Sequence, residues 1–111
     1  METKEIEKIA KQEMRKMGIN PSWNGYKFWA AAVAECETFS CSIVYNRVAQ
    51  KYRTTATRVE RAMRYALKYA TEDLSKIFEM NRKITNAQFF YLLKERIEVK
   101  VNYETAENVE K

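Results

Sequence analysis

The sequence predicts an all-α fold of about six helices, and three features of its composition support this. The 111 residues include only two glycines and one proline, which leaves few turns for a protein built from β-hairpins. Alanine, glutamate, lysine and arginine are frequent, and these residues lose little free energy on joining a helix. Hydrophobic residues make up 46% of the chain, which is enough for one core in one domain. We expect this domain to span residues 1–100, and we expect residues 101–111 to form a mobile tail.

Two helices are expected in the first 40 residues. The first covers residues 2–17, where apolar side chains recur at spacings of three and four, at Ile6, Ile9, Ala10, Met14 and Met17. Gly18 is placed to end this helix, and Pro21 prevents it from resuming early. The second helix covers about residues 25–39 and is apolar on nearly all sides, so we expect it at the centre of the core.

The middle of the chain predicts a short helix, a tight turn and a longer helix. The third helix spans residues 43–52, and the side chains expected to face inward are Ile43, Val44, Val48 and Ala49. A polar connection at residues 53–55 leads into the fourth helix, which runs to about residue 70. This order is typical of a helix-turn-helix unit formed by the third and fourth helices.

Two capping signals compete at the start of the fourth helix. Thr54 or Thr55 can cap it directly, whereas Thr57 and Glu60 have the spacing of a capping box. A short fifth helix is expected at about residues 72–79. A final helix is expected at about residues 86–98, after a basic loop.

The positive charge of the chain is concentrated in this helix-turn-helix segment. Residues 47–68 contain seven basic residues and one acidic residue, whereas the other 89 residues contain 13 basic and 14 acidic ones. A basic block on an otherwise balanced chain favours a polyanionic partner, although a merely solvated helix face would show the same excess.

The predicted fourth helix separates into two faces at about 100° per residue. Its apolar face groups Val59, Ala62, Met63, Ala66, Leu67 and Ala70. Its polar face groups Thr57, Arg58, Glu60, Arg61, Arg64, Tyr65 and Lys68. A helix of this kind can pack on the domain with one face and present the other to a partner.

The polar face carries the chemistry that reads bases in the major groove of DNA. Arginine donates two hydrogen bonds to O6 and N7 of guanine, and glutamate accepts one from N4 of cytosine. Glu60 can also hold a neighbouring arginine in position. The plainer interpretation is that Glu60 and Arg64 form a surface pair at i and i+4. Lys51 and Arg53, in and before the turn, have the character of contacts to the DNA backbone.

This segment resembles the DNA-binding effector domain of the stage zero sporulation protein A family. The resemblance rests on Ala56-Thr-Arg-Val-Glu-Arg-Ala-Met-Arg-Tyr-Ala-Leu67 and the preceding Val48-Ala-Gln-Lys-Tyr-Arg-Thr-Thr55. Gly18-Ile-Asn-Pro21 with Gly25-Tyr26, and Lys83-Ile-Thr-Asn-Ala-Gln-Phe89, are similar to further family motifs in the right order. The similarity covers about residues 9–98.

The resemblance implies a six-helix domain that binds a TGTCGAA-type box in double-stranded DNA, often in tandem copies. It implies base contacts from Glu60, Arg61 and Arg64. The resemblance also implies contacts to the DNA backbone from Thr57 and Arg58. Together with residues of the turn and of the ends of the fourth helix, the expected backbone contacts are Lys51, Arg53, Thr55, Thr57, Arg58, Tyr65 and Lys68. Tyr65 stands where many members have histidine. The sequence has no room for a receiver domain before its first helix, so we expect a free-standing effector domain or, alternatively, an excised or divergent one.

Double-stranded DNA is therefore the expected partner, and the expected function is sequence-specific regulation of transcription. RNA polymerase and a second copy of the chain on tandem sites are further candidate partners. The alternative function is a protein-interaction module, or a decoy, that modulates a full-length regulator or RNA polymerase. Exposed apolar anchors would be expected of such a module.

Other classes of protein fit the composition poorly. The chain has no histidine, no glycine-rich phosphate loop and no nucleophile with a base beside it, so we expect no enzyme and no cofactor. Two cysteines alone cannot make an ordinary structural zinc site, so no metal is expected. No apolar run is long enough to cross a bilayer, and no signal peptide opens the chain. We expect a bacterial protein of the cytoplasm, associated with the nucleoid.

Overall fold

The computed structural model describes residues 2–110, with the side chains of all of them except Cys41 and residues 104–110. This part of the chain contains six α-helices and no β-strand, which confirms the predicted all-α fold. The helices are α1 (Thr3–Lys16), α2 (Asn24–Glu35), α3 (Cys41–Tyr52), α4 (Ala56–Lys68), α5 (Leu74–Ile77) and α6 (Asn86–Glu110).

Helix α2 forms the centre of the core, as its apolar composition predicts. It packs against α1, α3, α4 and α6, and its side chains from Phe28 to Val33 are all buried. The indole of Trp29 packs edge-on against the ring of Phe89 of α6, with ring centroids 4.8 Å apart. The alanines of α2 allow its neighbours to approach closely on several sides, so one helix can contact four others.

The first and last helices are joined by a buried carboxylate. Glu13 of α1 accepts a hydrogen bond from Arg96 of α6 at 2.8 Å and one from Lys16 at 2.9 Å. The ammonium of Lys100 lies 3.6 Å from the same carboxylate. Burial alone would raise the pKa of Glu13, but the hydrogen bonds from Arg96 and Lys16 and their positive charges outweigh it and lower the pKa.

Helix α6 is longer than the sequence predicted. It was expected to end near residue 98, but it continues to Glu110. An ion pair of Lys100 with Glu13, at 3.6 Å, and a hydrogen bond from Lys100 to Gln12, at 2.9 Å, extend its contact with α1 past the expected end. Val101 is also packed against the core. The mobility of residues 101–111 stays a prediction, and Lys111 lies outside the described residues.

The ends of the other helices differ from prediction by a few residues. Helix α2 ends at Glu35 because Cys36 is extended. Helix α3 begins two residues early, and Ile43, expected to face inward, is 60% exposed. The inward face of α3 is centred on Val44, Val48 and Ala49, and Ile43 precedes Val44 by about 100° around the helix. The prediction that Ile43 packs in the core was wrong.

Candidate nucleic-acid interface

The turn between α3 and α4 is stabilised by backbone hydrogen bonds around a left-handed residue. Arg53 ends α3 with φ 53° and ψ 51°. The amide of Thr54 donates to the carbonyl of Ala49 at 2.9 Å, and the amide of Arg53 donates to Gln50 at 3.4 Å. These bonds close the end of α3, and only three residues connect it to α4. Together, α3, this turn and α4 are consistent with a helix-turn-helix unit.

Helix α4 begins at the cap provided by Thr55. The hydroxyl oxygen of Thr55 accepts a hydrogen bond from the amide of Arg58 at 3.2 Å, and the amide of Val59 donates to the Thr55 carbonyl at 3.0 Å. The direct cap therefore forms, and Glu60 pairs with Arg64 instead of completing a capping box with Thr57. The helix thus starts at Ala56, with Thr57 and Arg58 exposed in its first turn.

The apolar face of α4 is fixed closely against α2. Val59, Met63 and Ala66 are buried, as their spacing predicts. A Cβ atom at Gly25 of α2 would lie only 2.3 Å from the carbonyl oxygen of Ala62, so glycine is needed for this approach. The indole of Trp29 also donates a hydrogen bond to the backbone of α4 at Met63. The position of α4 relative to the core is therefore set by direct contacts along its length.

The opposite face of α4 is presented to solvent. Its exposed side chains are Thr57, Arg58, Arg61, Arg64, Tyr65 and Lys68. Glu60 lies at the edge of this face, where its carboxylate accepts a hydrogen bond from Nε of Arg64 at 3.0 Å. Because Nε is the bonded atom, the terminal Nη groups of Arg64 remain available as donors. The i,i+4 pair of Glu60 and Arg64 is therefore formed, and it also orients the Arg64 side chain.

Two tyrosines continue the outer face at the C-terminal end of α4. Tyr65 and Tyr69 are 43% and 56% exposed, and their rings meet edge-on with centroids 6.1 Å apart. The Arg64 guanidinium lies 5.3 Å from the Tyr65 ring, and the Lys68 ammonium lies 5.5 Å from the Tyr69 ring. Sequence reasoning missed Tyr69, although it follows Tyr65 at i+4 and so shares its face.

Lys51, the predicted contact in the last turn of α3, is held by two carboxylates of other helices. Its ammonium lies 2.6 Å from the carboxylate of Glu7 in α1 and 3.6 Å from that of Glu35 in α2. The hydrogen bond to Glu7, aided by the charges of both carboxylates, raises the pKa of Lys51. Arg53 and Thr55, which were predicted with Lys51 as backbone contacts, are exposed in the turn itself.

A groove of about 840 Å³ runs beside α4 and brings in a further cation. It is lined by Arg64 and Lys68 of α4 and by Lys83 and Thr85, which precede α6. The sequence indicated only a basic loop around Lys83, because nothing in its spacing places that loop beside α4. The structure therefore brings Lys83 near α4, but the groove has no net positive charge, because three carboxylates line it as well: Glu60, Glu72 and Asp73.

Two further features, a membrane-spanning helix and a metal site, are absent from the residues that the structure describes. None of their helices is long and apolar enough to cross a membrane. Among the same residues, no three histidine, cysteine, aspartate or glutamate side chains come together as a metal site requires. Cys36 is buried, and burial raises the pKa of its thiol, which disfavours the reactive thiolate.

Comparison with known proteins agrees with the geometry of α3 and α4. No curated protein sequence matches the chain. The family described as Sporulation initiation factor Spo0A C terminal matches residues 10–97, which include the helix-turn-helix segment and all six helices at least in part. This is a family of DNA-binding domains and not of enzymes. The chain therefore belongs to the Spo0A C-terminal family of DNA-binding effector domains that serve the regulation of sporulation transcription.

Proposed function

We propose that this protein is a sequence-specific regulator of transcription that reads a TGTCGAA-type box in double-stranded DNA through α4. The observation that carries the proposal is the division of α4 into two faces. One face is fixed on α2 by Gly25 and Trp29, and the other exposes three arginines and a lysine. A rigidly mounted cationic helix at the end of a tight turn has the dimensions that the major groove accepts.

Glu60, Arg61 and Arg64 are the proposed base contacts. Arg61 and Arg64 are exposed near the middle of α4, and each can donate a bidentate pair to guanine. Glu60 can orient Arg64 through the bond to Nε, or accept a hydrogen bond from cytosine. The expected box contains both bases, so this set of donors and acceptors suits it.

The proposed backbone contacts surround these three residues. Thr55, Thr57 and Arg58 lie at the start of α4, where the amide groups and the helix dipole favour phosphate. Arg53 is exposed in the turn, and Tyr65 and Lys68 extend the contact towards the other end of α4. The remaining proposed contact, Lys51, depends on its two carboxylate partners.

A second candidate function is a protein-interaction module that modulates a full-length regulator or RNA polymerase. The exposed pair Tyr65 and Tyr69 favours it, since exposed aromatic side chains often anchor protein interfaces. Binding as a homodimer on tandem sites would combine the two candidates, because one copy would then contact both DNA and its neighbour. A protein with the proposed DNA-binding function would act on the nucleoid.

Selection of bound duplexes from a random DNA pool tests the proposed function. We expect a TGTCGAA-type box to be enriched by the full chain, and the enrichment to disappear for a variant carrying Arg61→Ala and Arg64→Ala. A variant carrying Arg15→Ala and Arg82→Ala removes equal charge outside α4 and serves as the matched control. Enrichment of no box by the full chain would favour the interaction module instead.

A further inference from the structure

Lys51 is held by two carboxylates that lie far from it in sequence. Glu7 is 44 residues away in α1 and bonds to its ammonium at 2.6 Å. Glu35 in α2 lies 3.6 Å from the same nitrogen. The three side chains are each partly buried, with 19–33% exposure, so their charges are screened less than those of a freely exposed pair. This Lys51 cluster, formed by Lys51, Glu7 and Glu35, has a net charge of −1.

The cluster lies at the helix-turn-helix unit. Lys51 is in the last turn of α3, four residues before the cap at Thr55. Arg53 and Thr55 beside it are exposed and open to a phosphate. A free ammonium at this place would add one contact to the DNA backbone. The Lys51 ammonium, however, is already paired with the carboxylates of Glu7 and Glu35. A DNA phosphate that approached the turn would have to displace Glu7 and would face the charge of Glu35.

We propose that Glu7 and Glu35 compete with DNA phosphate for the Lys51 ammonium and thereby lower the affinity of the domain for every DNA sequence. This inference rests on the proposed function of α4 in DNA binding. The competition acts on a backbone contact, so it lowers specific and non-specific affinity together and leaves the choice of bases to α4. The competition therefore shortens the time that the protein spends bound to any DNA, specific or non-specific.

The test compares a Glu7→Gln, Glu35→Gln double variant with the parent chain. Binding is measured by fluorescence anisotropy on a TGTCGAA-type duplex and on a scrambled duplex, over a series of salt concentrations. A control carrying Glu95→Gln and Glu98→Gln, at two exposed carboxylates of α6, removes the same charge and serves as the matched control. Thermal melts of each variant confirm that the domain is folded. The Glu7→Gln and Glu35→Gln changes are also made in a Lys51→Ala background.

Releasing Lys51 adds about one phosphate contact, so we expect the salt dependence of log K to steepen by about 0.9 per log unit of salt for the double variant. We expect its affinity for both duplexes to rise roughly 3- to 10-fold near 0.1 M salt, beyond the change seen with the Glu95→Gln, Glu98→Gln control. Neither gain should appear in the Lys51→Ala background.

Two results would overturn the competition. One is a Glu7→Gln, Glu35→Gln variant that matches the Glu95→Gln, Glu98→Gln control in affinity and salt dependence. The other is a gain over that control that persists without Lys51. The proposed function fails separately, if the parent chain itself does not prefer the TGTCGAA-type duplex over the scrambled one.

Discussion

The indole Nε1 of Trp29 donates a hydrogen bond to the backbone carbonyl oxygen of Met63 over 2.9 Å, in the buried interior. This bond joins the central helix α2 to α4, the helix that presents the candidate DNA-reading face. One turn earlier in α2, Gly25 brings the two backbones together at Ala62. The position of the outer face of α4 therefore depends on these inner contacts. Substitutions at Gly25 or Trp29, which would not touch DNA, should still change the affinity for DNA.

Trp29→Phe tests the hydrogen bond while keeping an aromatic ring in the core. The bond is lost and a small cavity forms, so we expect the free energy of unfolding to fall by roughly 1–3 kcal/mol. The measurement is urea denaturation followed by circular dichroism. Trp23→Phe changes the exposed tryptophan and should leave the midpoint nearly unchanged. Equal midpoints for the two variants would show that the bond to Met63 contributes nothing.

Gly25→Ala tests the close approach of α2 and α4. In an unobstructed helix this change stabilises by about 0.5–1 kcal/mol. Here the new Cβ would meet the Ala62 carbonyl oxygen at 2.3 Å and the Ala66 Cβ at 2.7 Å, so the helices must separate. We expect a loss of about 1–3 kcal/mol in denaturant titration, together with weaker DNA binding. A stabilised variant would contradict the packing described here.

Arg53→Gly separates the backbone role of Arg53 from its charge. Arg53 has φ 53°, a conformation that glycine adopts without the cost that a side chain brings. We expect a gain of up to about 1 kcal/mol in unfolding free energy, together with weaker DNA binding because a cation at the turn is lost. Glu79→Gly is the matched control, since Glu79 has φ 55° but lies outside the helix-turn-helix unit. The control should stabilise without weakening binding, and unchanged binding by Arg53→Gly would exclude Arg53 as a contact.

The stability of the folded chain depends on pH through the carboxylate of Glu13. Its pKa is lowered below its ordinary value of 4.5 in the folded chain, so the native state binds this proton less readily than the unfolded chain does. The contribution of Glu13 to the free energy of unfolding is therefore present in full at a pH above its ordinary pKa. It is lost as the pH falls through the lowered pKa of the folded chain. We expect Glu13→Gln to cost about 1–3 kcal/mol at pH 7 and to flatten the fall in stability below pH 4.5. Parallel pH profiles of parent and variant, measured by thermal melts, would contradict this assignment.

Features of the fold that depend on local spacing and composition could be predicted from the sequence. The two faces of α4 follow from its period of 3.6 residues, and the burial of Val59, Met63 and Ala66 confirms the inner one. The central position of α2 follows from its apolar composition on all sides. The start of α4 was predicted within the threonines at residues 54–57, and the structure selects Thr55 as the cap.

The parts that sequence reasoning missed depend on contacts between distant residues. Lys51 was predicted as a contact to the DNA backbone, and nothing in the sequence indicated its partner Glu7, which is 44 residues away. Lys83 lines a groove with Arg64 only because the chain folds back before α6. Helix α6 extends past residue 98 partly through contacts of Lys100 with α1. None of these relationships leaves a periodic signal in a single sequence.

The central claim is that the outer face of α4 reads bases, and the ratio of specific to non-specific affinity measures this most directly. Competition anisotropy with a TGTCGAA-type duplex and a scrambled duplex, at one salt concentration, gives this ratio for the parent chain, Arg61→Ala and Arg64→Ala. Each guanine contact is worth about 1–3 kcal/mol of discrimination, so we expect each variant to lower the ratio by roughly 5- to 150-fold. Lys68→Ala, at a proposed backbone contact, should weaken binding to both duplexes and keep the ratio. A ratio that is unchanged by Arg61→Ala and Arg64→Ala would contradict the assignment of α4 as the helix that reads DNA.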